Sequence, residues 1–260
     1  MVSTSPTGVG EEWIPTLAAA GFDYAEIALA ETVRLNPATR RQIKDALTQH
    51  GLRAETMNNF FPRTLRLTGS NIDKAAIQAY VDEALEVAAG MGAEIIVFGS
   101  GPAKHVPEGF PMEAAYRQVV DLLQTIGPKA KAKNLTIVIE PLRQFECNLI
   151  NTFAEGVQLA RDVGHEAVRV LVDYYHLTVE NEPLEHIIKD GRTFLRHAHY
   201  AKPAGRVYPT PATIEPADRN FFRALNAAGY DQRVSVEAYT DDYGRAAAPA
   251  RETMRQLSAD

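Results

Sequence analysis

The stretch LTIVIEP, Leu135 to Pro141, sets the pattern from which the fold can be inferred. Its apolar and β-branched residues are typical of a buried strand. Pro141 has no amide hydrogen to donate to a strand ladder, so we predict that the strand ends near Glu140. A carboxylate at the end of a buried strand loses hydration and needs a compensating partner. This position therefore raises the question of what Glu140 binds.

Similar short apolar runs recur along the chain, with longer helical patterns between them. We predict seven strands, at 24–29, 53–59, 94–99, 135–140, 168–173, 194–199 and 233–238. Because strands and helices alternate without long spacers, the pattern indicates a parallel sheet. A stub at Val2–Thr4 would be a truncated first strand. Eight strand–helix units in about 250 residues are the size of a closed (β/α)8 TIM barrel.

An open, doubly wound sheet is the structural alternative to a barrel. Such sheets usually carry a glycine-rich nucleotide turn after the first strand. The GSG sequence at Gly99–Gly101 lacks the third glycine of that motif and is a weak signal. No linker, repeat or low-complexity segment divides the chain. We therefore predict one TIM-barrel domain over residues 1–260, with a short or truncated first strand.

The composition is that of a globular protein with a full core, because 45% of its 260 residues are hydrophobic and 23% are charged. The net charge of −6 offers no basic surface for nucleic acid or an anionic membrane. Cys147 is the only cysteine, which excludes an intrachain disulfide framework and fits a reducing compartment. We see no signal peptide and no apolar run of about 18 residues. We therefore expect a soluble, cytoplasmic protein.

Four consecutive predicted strands each end on or near a potential metal ligand. These residues are Glu140, Asp173, His199 and Glu237. In a barrel, the carboxyl ends of the strands meet on the face that carries active sites. Three carboxylates and one imidazole suit Mn²⁺, Mg²⁺ or Co²⁺ better than they suit a structural zinc site. We therefore predict one bound divalent metal ion, with Mn²⁺ favoured, and interpret Glu140 as one of its ligands.

Other polar residues lie in the loops that follow these strand ends. Glu146, His176 and Arg206 come shortly after Glu140, Asp173 and His199 respectively. Loops at a barrel mouth commonly carry residues that contact the substrate, so these three are candidate site residues. His197 shares a strand face with His199 but lies two residues earlier. We therefore expect it deeper in the barrel, as a hydrogen-bonded core or supporting histidine.

Several of these segments resemble a known family. IEPLRQFECNLINT (139–152), LVDYYHL (171–177), HAHYAKPAGRVYP (197–209) and SVEAY (235–239) are similar to the xylose-isomerase-like TIM barrels, and to the ketose 3-epimerases in particular. GFDYAEIAL (21–29) and FGSGPAKHVPEGF (98–110) resemble the same family, so the similarity covers most of the chain. By analogy, it implies a homo-oligomer, either a dimer or a tetramer.

The resemblance assigns roles to the candidate residues. It implies that the four strand-end residues are metal ligands and that Glu140 and Glu237 are the acid/base pair. Glu146, His176 and Arg206 would then hold the substrate oxygens next to the reacting carbon. Two positions remain possible for the Glu26 side chain, one near the pocket and one in a buried ion pair.

The implied function is a metal-dependent epimerase or isomerase that acts on a ketose or related sugar through an enediolate. The alternatives are a lyase or dehydratase that acts on an oxidised sugar by β-elimination, such as an inosose or a 3-oxo-glycoside, and a hydroxypyruvate-type isomerase. An abasic-site endonuclease would need more histidine ligands and a basic DNA-binding face, which this sequence lacks.

The sequence also departs from the family pattern near the predicted pocket. Lys202 stands where many relatives carry Asp or Asn, and Lys104 stands where Arg is frequent. Together with Arg63, these lysines are interpreted either as recognising a substrate phosphate or carboxylate or as solvated charges at the rim. Phe60, Phe61 and Pro62 are predicted to form an apolar wall at the mouth, or to pack within their loop.

Overall fold

The computed structural model describes residues 8–259, and its centre is a parallel sheet of seven strands. Each strand bonds to the next one in chain order, from β1 to β7. The strands are β1 Ala25–Ala28, β2 Ala54–Asn58, β3 Ile95–Phe98, β4 Thr136–Ile139, β5 Val168–Asp173, β6 Leu195–Tyr200 and β7 Val234–Val236.

This sheet winds into a nearly closed barrel, as the sequence predicted. Side chains join its two outer strands, since Tyr24 and Glu26 at β1 hydrogen-bond with Ser235 of β7. All seven predicted strands are present, and their bounds differ from the expected ones by at most two residues. The stub predicted at Val2–Thr4 lies outside the described residues.

Helices alternate with the strands. They are α1 Ile14–Ala19, α2 Leu29–Val33, α3 Pro37–Gln49, α4 Lys74–Met91, α5 Gly101–Lys104, α6 Met112–Ala132, α7 Phe153–Val163, α8 Tyr174–Val179, α9 Glu185–Phe194, α10 Pro216–Ala227 and α11 Tyr243–Leu257. Short 3-10 turns occur at Glu11–Trp13, Ala204–Arg206 and Pro211–Thr213. Within residues 8–259, no helix combines the length and the apolar character needed to cross a membrane.

Local sequence signals explain where two long helices begin and end. The Asp73 side chain accepts a hydrogen bond from the backbone of Ala76 and caps α4, and Gly92 follows the last residue of this helix in the left-handed conformation, with φ of 90°. The capping box formed by Thr152 and Glu155 begins α7. Glycine suits the left-handed position after a helix because it has no Cβ.

The alternation of side chains along each strand separates two apolar layers. Ile96, Phe98, Ile137 and Ile139 belong to the main core between the sheet and the helices. Val97, Val138 and Leu171 form a second cluster. Because successive side chains point to opposite faces, this second cluster fills the barrel interior.

The next inward-facing position lies two residues beyond each member of this interior cluster. These positions hold Gly99, Glu140 and Asp173, which therefore lie over the interior layer at the carboxyl end of the barrel. On the next two strands the same alternation places His199 above His197 and Glu237 above Ser235. The barrel therefore directs the predicted site residues towards its own axis.

Lys202 and Lys104 do not lie in solvent at the rim, so that interpretation of both lysines is wrong. Lys202 is buried, and its Nζ lies 2.7 Å from Oδ2 of Asp218 and 2.9 Å from Oε2 of Glu215. Lys104 is 0% exposed, and its Nζ donates to the backbone carbonyl oxygen of Glu140 at 3.0 Å. Both lysines therefore organise the protein interior.

We predict that Lys202→Met lowers the free energy of unfolding by about 3–5 kcal/mol, because it leaves the fully buried carboxylate of Asp218 without its cation. Urea unfolding followed by circular dichroism measures this change. Lys129→Met is the matched control, since the Lys129–Asp82 pair lies on the surface, and a clearly smaller loss is expected there. Equal losses of unfolding free energy in the two variants would contradict the prediction that the buried Lys202–Asp218 pair stabilises the protein more than a surface pair does.

Candidate metal centre

The carboxyl ends of β4 to β7 bring the four predicted ligands together. One potential ligand atom from each of Glu140, Asp173, His199 and Glu237 lies within 4.8 Å of the others. Nδ1 of His199 is 3.1 Å from Oε2 of Glu237, 3.3 Å from Oε1 of Glu140 and 4.0 Å from Oδ2 of Asp173. One imidazole nitrogen therefore faces three carboxylates, an arrangement that could hold a metal ion.

The end of β3 makes room for the Glu140 side chain. A Cβ atom added to Gly99 would overlap Oε2 of Glu140, so the carboxylate occupies the space over this glycine. The Lys104 ammonium holds the backbone carbonyl of Glu140 and lies 5.2 Å from the centre of the Phe98 ring. Gly99 and Lys104 together fix where this carboxylate can lie, a role that the glycine pattern alone did not reveal.

The electrostatics of the cluster favour a bound cation. Burial, together with the negative charge of Glu237, raises the pKa of Glu140, and burial also raises the pKa of Asp173. Oε1 of Glu140 is buried and accepts no hydrogen bond from any residue that the structure describes. Carboxylate oxygens and an imidazole nitrogen are suitable ligands for Mn²⁺, Mg²⁺ or Co²⁺. The residues present therefore fit a divalent metal ion.

Arg206 also lies against this cluster. Its Nη2 is 3.2 Å from Oδ2 of Asp173 and 2.5 Å from Oε2 of Glu237, and its guanidinium lies 4.9 Å from the centre of the Tyr175 ring. Burial opposes ionisation of Glu237, but the positive charges of His199 and Arg206 outweigh it and hold the pKa of Glu237 well below its usual value. The backbone of Arg206 is left-handed, with φ of 51°, a conformation that tertiary contacts must stabilise.

His176 presents an N–H group beside the cluster. Its Nδ1 accepts a hydrogen bond from the backbone of Arg143 at 3.2 Å, so the proton of the neutral ring lies on Nε2. Nε2 is buried without a hydrogen-bond partner among the described residues, 3.8 Å from Oδ2 of Asp173 and 4.0 Å from Oε2 of Glu146. Burial lowers the pKa of His176 and keeps the ring neutral. A ligand oxygen could accept from this N–H.

The cluster opens into a cleft of about 560 Å³ at the barrel mouth. Five of the seven predicted site residues line this cleft, namely Glu140, Glu146, His176, Arg206 and Glu237. The other two, Asp173 and His199, are buried below them.

The loops after the strands complete the cleft. Phe61, Pro62 and Arg63 line it, whereas Phe60 is buried in the core. Our sequence analysis missed Glu31, Asn59 and Tyr239, which also line the cleft. The signal for these three was their position shortly after β1, β2 and β7, since the predicted ligands also follow the ends of strands.

Glu26 does not line this cleft. Its side chain is 8% exposed and lies beneath the cluster, with Oε1 2.9 Å from Nε2 of His199 and Oε2 3.0 Å from Nε2 of His197. Of the two places open for Glu26, the structure therefore shows the buried ion pair. His197 is fully buried and hydrogen-bonded, as its position below His199 predicted.

We predict that metal affinity falls as the pH is lowered towards mildly acidic values. Burial disfavours the imidazolium of His199, but the negative charges of Glu26 and Glu237 outweigh it and raise the pKa of His199 well above its usual value. Metal binding must therefore release this proton, which costs about tenfold in affinity per pH unit below that pKa. Calorimetric Mn²⁺ titrations in buffers of different ionisation enthalpy measure both the affinity and the released proton. An affinity that does not change with pH would contradict the role of His199.

We also predict that Gly99→Ala weakens metal binding by about tenfold to a hundredfold while the protein still folds. The new methyl group displaces the Glu140 carboxylate, which is the flexible end of a side chain and can move without shifting the backbone. Metal titration and thermal unfolding are the measurements. Gly90→Ala is the control, because a Cβ atom there meets nothing within 4 Å. Equal metal affinity in the two variants would argue against the role of Gly99.

Comparisons with known proteins identify the family. The xylose isomerase-like TIM barrel pattern matches residues 14–259. The chain is 26% identical to D-psicose 3-epimerase of Agrobacterium fabrum over 200 residues, which are 75% of this chain and 68% of that protein. It is 25% identical to the probable ketose 3-epimerase of Synechocystis sp. over 252 residues, which are 91% and 84% of the two chains.

A solved structure shows the same fold. The complex of D-allulose 3-epimerase from Methylomonas sp. with D-allulose matches with a TM-score of 0.85 at 21% identity, over 98% of this chain and 93% of that one. The family pattern spans nearly all of the described chain, in agreement with the barrel found here. This protein therefore belongs to the xylose isomerase-like TIM barrel family.

Proposed function

We propose that this protein is a divalent-metal-dependent epimerase that acts on a ketose or a related sugar. One observation carries the proposal: Glu140 and Glu237 reach the same cluster from different sides. Glu140 follows β4 and Glu237 follows β7, and β5 and β6 lie between these two strands in the sheet. The relatives named as D-psicose 3-epimerase and probable ketose 3-epimerase support a ketose as the substrate. Mn²⁺ is the ion we favour, with Mg²⁺ and Co²⁺ as alternatives.

In this proposal the two glutamates move the proton. One carboxylate removes the proton from the carbon beside the sugar carbonyl, and the other returns a proton to the opposite face of that carbon. The configuration at the carbon is thereby inverted, and the two glutamates exchange roles in the reverse direction. A divalent cation held by Glu140, Asp173, His199 and Glu237 would stabilise the negative charge that develops on the sugar oxygens.

The residues at the cleft would orient the sugar. The Nε2–H of His176 has no partner among the described residues and would donate to a substrate oxygen. Arg206 would donate to the oxygen that becomes negative. Glu146 is held by Nε of Arg143 at 2.7 Å and would accept from a sugar hydroxyl. Each group is fixed by the protein before the substrate arrives, which favours catalysis.

The same geometry would serve β-elimination from an oxidised sugar or an aldose–ketose isomerisation. In the first reaction a β-substituent leaves after proton removal, and in the second the proton returns to the adjacent carbon. The experiment that tests the proposal must therefore identify the product as well as detect proton exchange.

Three further predictions from the sequence, a single domain, a homo-oligomer and a cytoplasmic location, stay predictions.

The test is an NMR time course in D₂O with the metal-stripped protein reloaded with Mg²⁺. We expect deuterium at the inverted carbon of a ketose from a panel of free and phosphorylated sugars. Deuterium at C1 or C2 with an aldose as product would favour an isomerase instead. Release of water or an aglycone from inososes or 3-oxo-glycosides, without exchange into any ketose, would favour the lyase.

We predict that Glu237→Gln lowers the exchange rate by at least about 100-fold, because an amide cannot accept the substrate proton. The same NMR assay measures the loss, and Mg²⁺ titration of the variant shows whether the ion still binds. Glu252→Gln changes a carboxylate on the helix α11 that does not line the cleft, and it serves as the control. Retained exchange in Glu237→Gln would remove Glu237 from the acid/base role.

A further inference from the structure

Glu26 accepts three side-chain hydrogen bonds beneath the metal centre. Its Oε1 is 2.9 Å from Nε2 of His199, and its Oε2 is 3.0 Å from Nε2 of His197 and 2.5 Å from Oγ of Ser235. The side chain is 8% exposed and does not line the cleft, so the proposed reaction does not use it directly. A carboxylate with this many donors has a defined position.

These contacts determine which nitrogen of His199 is free for a metal ion. An ionised carboxylate can only accept hydrogen bonds, so the His199 nitrogen that faces Glu26 must be the protonated one. With the proton on Nε2, the lone pair of the neutral ring lies on Nδ1, which faces Oε2 of Glu237 at 3.1 Å and Oε1 of Glu140 at 3.3 Å. Glu26 thus selects the form of His199 that can bind a metal ion.

The same carboxylate joins the two outer strands of the sheet. Within residues 8–259 the strand ladder runs from β1 to β7, with no backbone pairing between those two strands. Ser235 of β7 crosses this gap, since its Oγ contacts Glu26 and lies 2.6 Å from the hydroxyl of Tyr24. We call Tyr24, Glu26, His197 and Ser235 the seam network, because these side chains link the barrel where the backbone does not.

A competing explanation places an ion between the seam network and His199. Glu26, His197 and His199 lie close enough together to form a group of three ligands. Such an ion would have to displace the hydrogen bonds between Glu26 and the two histidines, and His199 would then bridge two ions. The two explanations differ in the number of ions bound, which can be measured.

We propose that Glu26 is a positioning residue that holds His199 in its metal-binding orientation, and that the seam network couples closure of the barrel to metal affinity. This inference rests on the metal centre of the proposed function. It concerns residues that lie outside the cleft and that do not touch the sugar. Loosening the contact between β1 and β7 should therefore weaken metal binding without removing any ligand.

The experiment measures Mg²⁺ and Mn²⁺ affinity and stoichiometry by calorimetry on the full chain. We expect one ion per chain, and Glu26→Gln to lose about tenfold to a hundredfold in affinity. Ser235→Ala should lose less but measurably, since it breaks the link across the gap and leaves His199 untouched. Glu166→Gln is the control, because its ion pair with Lys131 of α6 lies on the surface and does not bridge β1 and β7.

A spectroscopic signature separates positioning from a general loss of stability. In the Mg²⁺-loaded protein, ¹⁵N-edited NMR should detect a slowly exchanging Nε2–H proton on His199. We expect this signal to be lost in Glu26→Gln and retained in Glu166→Gln. Thermal unfolding of each metal-free variant shows whether it folds, and if Glu26→Gln does not fold, Ser235→Ala decides the question.

Each outcome bears on a different statement. Unchanged affinity in both Glu26→Gln and Ser235→Ala would overturn this inference and leave the proposed function standing. Two ions bound to the original protein, reduced to one in Glu26→Gln, would overturn it in favour of an ion between the seam network and His199. Failure of the original protein to bind either ion would overturn both the inference and the proposed metal centre.

Discussion

Three carboxylates approach Nδ1 of a single histidine, and the organisation of the barrel mouth follows from this constraint. Glu140, Asp173 and Glu237 would repel one another if each were ionised without a cation nearby. The structure surrounds them with His199 and Arg206, and Oε1 of Glu140 still accepts no hydrogen bond from the described residues. The site is therefore built to accept further positive charge.

The barrel brings these groups together through simple geometry. Side chains alternate along each strand, so the residue two positions beyond an interior apolar residue also points inward. This rule places Glu140 above Val138 and Asp173 above Leu171. The alternation rule does not determine how much room each side chain has. For Glu140, the missing Cβ of Gly99 leaves room for the carboxylate, and Lys104 holds the backbone carbonyl.

Support for the site extends below the cleft and across the sheet. Glu26 binds His199 from the side opposite the carboxylates, and Ser235 connects Glu26 to β7. The candidate metal centre and the closure of the barrel thus share one carboxylate. Stability and metal affinity are expected to respond together to changes in these residues, in contrast to surface pairs such as Lys129 and Asp82.

The sequence by itself determined the strand order and the residue at each strand end, because strand alternation and the proline after Glu140 are local features of the chain. The placement of His197 below His199 followed from the same local rule. Only the tertiary structure decided what surrounds these residues. From the sequence, Lys202 was open to two interpretations, recognition of a substrate anion or a charge at the rim. Its buried pairing with Asp218, 16 residues away, excludes the rim charge. Glu26 and His199 are 173 residues apart, and no local pattern could show that they pair. Such contacts depend on which distant strands meet when the barrel closes, and neither residue type nor spacing encodes that directly.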